Sequence, residues 1–129
     1  MDKPISSIMT KNVATVNLKD SIAQVEEKLK LRKYSCAPVI DMNGVCFGII
    51  SATDLMHFHT QWKNLRAEKA WEVCTHKVIE VTPDTSIKKV AQLMVEHKIH
   101  HVLVTENKSI LGIVSSIDLI QKYLLKDSA

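Results

Sequence analysis

The sequence predicts an α/β fold built from two pseudo-symmetric β-α-β-β-α repeats packed through their sheets. Three observations carry this: a repeated octapeptide, short β-rich runs alternating with helical spacing, and a length that leaves neither half comfortable alone. Residues 48–55 read G-I-I-S-A-T-D-L and residues 112–119 read G-I-V-S-S-I-D-L, an offset of 64 with five of eight positions identical. Upstream, at an offset of 65, Thr10, Val13, Val16, Ser21, Ile22, Val25, Lys33 and Val39 recur as Thr75, Val78, Val81, Ser86, Ile87, Val90, Lys98 and Val104. One residue is lost in the second copy, where E-N-K-S-I-L replaces D-M-N-G-V-C-F. Such self-similarity decides an architecture before any single residue does. Of the 129 residues, each half supplies about 60, which bury too little surface for independent stability, so the copies are expected to pack together.

Each element has its own signal. Residues 13–16 form a short β-rich run, and from Asp20 to Lys33 the apolar positions Ile22, Val25 and Leu29 fall at helical spacing, with Asp20 placed to cap the first turn. Residues 36–40 and 45–51 read as strands joined by the hairpin turn Asp41-Met42-Asn43-Gly44, where Gly44 is free to take positive φ. A second helix is expected from Ala52. The second copy repeats the order: a strand at 78–81, a helix capped by Thr85 with Ile87, Val90, Ala91 and Met94 on one face, strands at 102–105 and 110–115, and a helix from Ser116 to Lys126. The repeats are placed at residues 5–60 and 70–126. The join at 61–69 is polar and lacks Gly and Pro, so it reads as a rigid helical connection. Trp62 and Trp71 flank it and read as packing anchors.

Composition excludes several classes. The apolar fraction of 46% is ordinary for a globular chain, and the +3 charge is scattered without a run of five cations, so no nucleic-acid stripe is expected. The N-terminus lacks the apolar core of a signal peptide. The longest apolar runs reach about six residues against the roughly 20 that span a bilayer, so no membrane segment is expected. Three cysteines without C-x-x-C spacing read as reduced thiols in a cytoplasmic protein.

The chemistry gathers at Ser51-x-x-Asp54 and Ser115-x-x-Asp118, where a strand ends and a helix starts. A helix N-terminus offers unpaired N–H groups to a phosphate, the serine adds a donor, and a carboxylate one turn on can accept both hydroxyls of a ribose. The same residues also make a plain helix cap, worth about 1 kcal/mol, that needs no ligand. The spacing alone leaves both readings open.

The β-α-β-β-α order, I-M-T at residues 8–10, A-P-V-I-D at residues 37–41 and the repeated G-h-h-S-x-x-D ending (h, apolar) resemble a tandem pair of cystathionine-beta-synthase (CBS) domains over residues 5–125. The resemblance implies a regulatory or sensor module that stands alone, is not an enzyme, and binds an adenine nucleotide (AMP, ADP or ATP) in clefts between the repeats. The output is a conformational change passed to an unlinked protein target. No catalytic cofactor is implied, the nucleotide being a regulatory ligand. The other reading is a dimerisation or interaction module whose clefts stay empty.

The resemblance also distributes the site residues. One set joins Ser51 and Asp54 to Val78, Ile79, His100, His101 and Val102. The other joins Ser115 and Asp118 to Val13, Ala14, Tyr34, Ser35, Cys36 and Ala37. Nucleotide-sensing relatives carry a His-Arg pair where this chain has His100-His101, so phosphate affinity here would depend on pH near the imidazole pKa. The first set is then expected to hold a charged nucleotide more tightly. Adjacent histidines are equally the polar end of a loop. The spacings His57-x-His59 and His97-x-x-His100-His101 bring in no Cys or acid at zinc spacing, and no metal site is expected. Cys36 and His101 hold equivalent repeat positions, too little for a nucleophile with its base. A homodimer is expected through helix faces carrying Leu55, Met56 and Phe58 in one repeat and Leu119, Ile120, Tyr123 and Leu124 in the other.

Overall fold

The computed structural model describes residues 3–124. Two compact units make it up: residues 14–77, and residues up to 13 together with those from 78 onward.

In the 14–77 unit, strand β1 (Val16–Asn17) pairs parallel with β2 (Cys36–Ile40), which pairs antiparallel with β3 (Cys46–Ser51). Helix α1 (Ile22–Arg32) buries Ile22, Val25 and Leu29, the positions its spacing marks, in one core with Val39, Ile50 and Phe58. Its cap is Ser21 rather than the expected Asp20. Ser21 Oγ accepts the Gln24 N–H (3.2 Å) while Gln24 Oε1 accepts the Ser21 N–H (2.8 Å), a reciprocal box. Asp20 instead accepts the Asn17 N–H. The helix closes on Lys33 in the left-handed region at φ 57°. In the following hairpin the Asp41 carboxylate accepts the Asn43 and Val45 N–H groups, and Gly44 takes φ 79° as expected.

Helix α2 (Ala52–His59) follows β3, but the join is not the expected helix. Residues 60–69 form turns, and only α3 (Ala70–Val73) is helical beyond them. Asn64 is the physical reason. Its side chain accepts the Arg66 N–H as a cap does and its carbonyl accepts those of Ala67 and Glu68, so a separate turn starts at Asn64 instead of α2 continuing through it. Trp62 sits at φ 58° and is 99% exposed, so it anchors no packing; Trp71 is 44% exposed.

The second unit repeats the plan. After a 3₁₀ turn at Ile5–Ser7, β4 (Glu80–Val81) pairs parallel with β5 (His101–Glu106), and β5 antiparallel with β6 (Ser109–Ser115). Helix α4 (Ile87–His97) is capped by Ser86, not Thr85, and closes on Lys98 at φ 54°. The hairpin turn holds Asn107 and Lys108 at φ 52° and 67°. Helix α5 (Ser116–Leu119) runs into a π-helical turn, Ile120–Leu124. The expected end of this helix at Lys126 lies outside the described residues. Both leading strands are shorter than the β-rich runs suggest, because only Val16–Asn17 and Glu80–Val81 find a partner in β2 and β5.

Each unit is completed by the segment that opens the other repeat in sequence. In the 14–77 unit, Lys69 bridges Ser21, the Ala70 N–H donates to Asp20 O (2.8 Å), and Thr75 bridges Ile49. In the other, Pro4 bridges Ser86, the Ile5 N–H donates to Thr85 O (2.7 Å), and Thr10 bridges Ile113. Ala70 and Ile5, repeat-equivalent, are both fully buried. Gly48 and Gly112 admit these segments. A Cβ on Gly48 would stand 2.6 Å from Thr75 O, and one on Gly112 2.5 Å from Met9 Sδ.

The helix faces expected to pair subunits are less apolar than the sequence implies. Leu55, Phe58 and Leu119 belong to the cores of their own units, and Tyr123 packs against one, leaving Met56, Ile120 and Leu124 exposed.

Candidate functional site

Both Ser-x-x-Asp turns form where the spacing places them. Ser51 ends β3 in extended conformation (φ −121°, ψ 168°), so the chain can swing into α2. Its N–H donates to Asp54 Oδ2 (2.9 Å), its hydroxyl donates to the same oxygen (3.1 Å), and its Oγ accepts the Asp54 N–H (3.3 Å). The Thr75 hydroxyl donates to Asp54 Oδ1 at 3.0 Å. Ser35 and Cys36 lie beside this turn, since the Ala52 N–H donates to Ser35 O (2.8 Å) and Cys36 is opposite Ser51 in the β2–β3 register. Ala37, opposite Ile50, is buried, as is Ala14; Tyr34 packs against the same core.

Ser115 ends β6 in the same way (φ −103°, ψ 162°). Its N–H donates to Asp118 Oδ2 (2.9 Å), and its Oγ accepts the Asp118 N–H (3.0 Å). Asp118 Oδ1 lies 3.7 Å from Lys122 Nζ, which donates to Ile8 O (3.3 Å). The Ser116 N–H donates to His100 O (2.8 Å), and His101 is opposite Ser115. Val102, opposite Val114, is buried; Ile79 O accepts the Leu103 N–H, and Val78 and Ile79 are half-buried.

The structure thus brings Ser51 and Asp54 together with Ser35 and Cys36, and Ser115 and Asp118 together with His100 and His101. Val13, Val78, Ile79 and Val102 belong to the unit of Ser115 and Asp118, while Ala14, Tyr34 and Ala37 belong to that of Ser51 and Asp54. The sets expected from the resemblance draw on both units. Two residues at the carboxylates, Thr75 and Lys122, were missed. Thr75 had a signal, its recurrence as the partner of Thr10; Lys122 had only its position one turn beyond Asp118.

Burial, reinforced by the Asp54 carboxylate, pushes the Cys74 thiol from its ordinary 9.0 up to about 11. The thiol therefore stays protonated and poorly nucleophilic at neutral pH. A hollow of about 520 Å³ is lined by Ser7, Ile8, Met9, Gln121 and Lys122, and none of the expected binding residues lines it. Among the described residues, no three His, Cys, Asp or Glu side chains gather as metal ligands, and no helix is long and apolar enough to cross a membrane.

Comparison with known proteins places these turns in context. A family model described as CBS domain matches residues 5–60 and 70–125. An uncharacterized protein of Bacillus subtilis (strain 168), YlbB, is 29% identical over 116 residues, covering 89% of this chain and 78% of that protein. Three further curated relatives are longer, and the chain spans 22% to 46% of their length. The CBS domain pair of protein MJ0100, solved in complex with 5′-methylthioadenosine and S-adenosyl-L-methionine, superposes with a TM-score of 0.86 at 24% identity, covering 98% of this chain and 99% of that one. CBSX2, solved in complex with AMP, superposes with a TM-score of 0.80 at 21% identity, covering 97% and 98%.

Proposed function

Since the chain belongs to the CBS-domain family and carries two copies of the domain, we propose that it is a non-catalytic regulatory module that binds an adenine nucleotide, AMP, ADP or ATP, at its Ser-x-x-Asp turns. The observation that carries the reading is the twofold occurrence of one geometry. A strand ends in a serine, and a carboxylate three residues on is fixed by the serine's own N–H at 2.9 Å in both units. A fixed hydroxyl and carboxylate at this spacing match a phosphate and a ribose diol. The adenosine ligands of MJ0100 and CBSX2 support the same choice. Binding acts by population shift: the ligand changes conformation only through its differential affinity for two arrangements, and a protein target reads the result. Site residues proposed beyond the two turns are those of the two expected sets, with the histidines as phosphate donors. The protein acts in the cytoplasm, and Met56, Ile120 and Leu124 are the exposed apolar side chains proposed to meet a second copy in a homodimer.

The interaction-module reading has one observation in its favour. Each Ser-x-x-Asp turn is also a complete capping box that satisfies itself without a ligand. The two readings separate in one experiment. Thermal unfolding is followed with AMP, ADP, ATP, NAD(H), S-adenosylmethionine and 5′-methylthioadenosine. A ligand at about 100 times its Kd stabilises by about 2.7 kcal/mol, a shift of several degrees for a chain of this size. A shift with any of them supports the sensor; none with all of them supports the interaction module. Light scattering at tens of micromolar tests the dimer, and a monomeric mass overturns it.

A further inference from the structure

The two turns are alike in sequence but unequal in what their polar atoms have left to give. A carboxylate offers about four lone-pair positions. On Asp54, Oδ2 receives both the N–H and the hydroxyl of Ser51, and Oδ1 receives the Thr75 hydroxyl. That leaves a single position, whereas a vicinal diol brings two O–H donors. On Asp118, among the described residues, Oδ2 receives only the Ser115 N–H, and Oδ1 faces Lys122 at 3.7 Å, beyond hydrogen-bond length. Asp118 therefore holds both hydroxyls of a diol without giving anything up.

The serines differ in the same sense. The Ser51 hydroxyl spends its proton on Asp54. Ser115 Oγ accepts the Asp118 N–H, and its proton has no acceptor among the described residues, so it is available to a phosphate oxygen. Thr10, the repeat counterpart of Thr75, engages its strand through backbone N–H and C=O to Ile113 and makes no side-chain bond to Asp118. On the carboxylate the asymmetry thus has two sources, the hydroxyls of Ser51 and Thr75, and of these Thr75 is the one that lies outside the turn.

We propose that Thr75 latches the Asp54 turn shut to a ribose diol, so that a nucleotide fills the Ser115–Asp118 turn first and enters the Ser51–Asp54 turn only as the latch lets go. This deepens the nucleotide-binding reading above and rests on it. Thr75 acts on the ligand through Asp54 and is a positioning residue. Its own backbone bonds to Ile49, 2.9 Å in each direction, do not involve the hydroxyl. The latch can therefore be removed without removing the strand contact.

Calorimetric titration of the full chain with AMP, and in parallel with 2′-deoxy-AMP, tests this. Asp118→Asn is expected to abolish the tighter event and Asp54→Asn the weaker one. Thr75→Val is expected to tighten the weaker event by about three- to tenfold, the worth of one released hydrogen bond, and to leave the tighter one in place. The deoxy ligand, with one hydroxyl fewer, is expected to lose affinity mainly in the tighter event. Circular dichroism of each variant confirms the fold, and the deoxy ligand carries the test on unsubstituted protein should a variant not fold. If Asp54→Asn removes the tighter event, or if Thr75→Val leaves the weaker one unchanged, the latch is overturned while nucleotide binding stands. If AMP binds to neither turn, so that both Asn variants titrate like the parent, or gives no heat at all, the reading beneath it falls as well.

Discussion

The carbonyl oxygen of Thr75 lies 2.6 Å from the point where a Cβ on Gly48 would stand, and Cys74 Sγ lies 2.9 Å from it. The glycine that opens the G-h-h-S-x-x-D ending is thus a place for another segment's backbone. Thr75 can pair with Ile49 in both directions only because Gly48 leaves that space. Gly48→Ala is expected to cost about 2 kcal/mol, because the obstructing atom is backbone and cannot rotate away. Gly112→Ala is expected to cost somewhat less, since its two nearest contacts belong to the flexible Met9 side chain and its backbone obstacle, Thr10 O, stands farther off at 2.9 Å. Urea unfolding of the two variants checks the order.

The left-handed closures of α1 and α4 are made by Lys33 and Lys98, not by glycine. A side chain in that region is strained by about 1 kcal/mol. Lys33→Gly and Lys98→Gly are therefore each expected to stabilise, by about 0.5 kcal/mol once the extra freedom of the unfolded glycine is set against the relief. A higher urea midpoint at unchanged m-value is the expected record.

Ser21 and Ser86 cap equivalent helices with different completeness. Ser21 is reciprocated by Gln24, whereas Ser86 faces Lys89, whose side chain returns nothing to the cap. Ser21→Ala is expected to cost about 1 kcal/mol or slightly more, and Ser86→Ala less. Thermal unfolding of both variants at one pH measures the difference.

Cys74 gives the stability a pH signature. Its folded pKa, about 11, lies above the ordinary 9.0. Between those values the unfolded chain has lost a proton that the folded chain keeps, so stability falls as pH rises. The contribution is complete below pH 9 and is lost progressively toward pH 11. Denaturant unfolding at pH 8 and pH 10, on wild type and Cys74→Ala, is expected to show a smaller decline in the variant. In the folded protein Cys74 is also expected to be the slowest of the three thiols to alkylate at pH 8.

The repeat made most of the fold legible. Element order, hairpin position, Gly44 and the buried faces of α1 and α4 follow from local pattern and recur at matching offsets. The misplaced caps have a common cause. Lys19-Asp20-Ser21 and Asp84-Thr85-Ser86 each offer neighbouring candidates, and the register of α1 and α4 against their segments, through Ala70 and Ile5, selects the last. The join was misread because a polar run without Gly or Pro fits a helix surface and a turn held by Asn64 equally well. The exchange of leading segments left no mark a single chain can show. Thr10 and Thr75 are near-copies, and likeness says which segments are equivalent without saying which strand each one meets. For the same reason both Ser-x-x-Asp turns could be found from spacing, while the Thr75 and Lys122 contacts at the carboxylates could not.

The exchanged segments also set an order of events during synthesis. Residues 14–77 hold everything their unit needs in one continuous stretch, which can collapse as soon as it leaves the ribosome. Residues 3–13 emerge earlier and must wait. Ile5 finds Thr85 and Lys3 finds Ile87 only after the whole intervening stretch has been made and looped out, a closure whose entropy grows with loop length. Until then the apolar Ile5, Ile8 and Met9 have no core to enter. Residues 3–13 are thus made before the stretch they wait for and seated only after it, and until then the nascent protein depends on whatever keeps those side chains from other company.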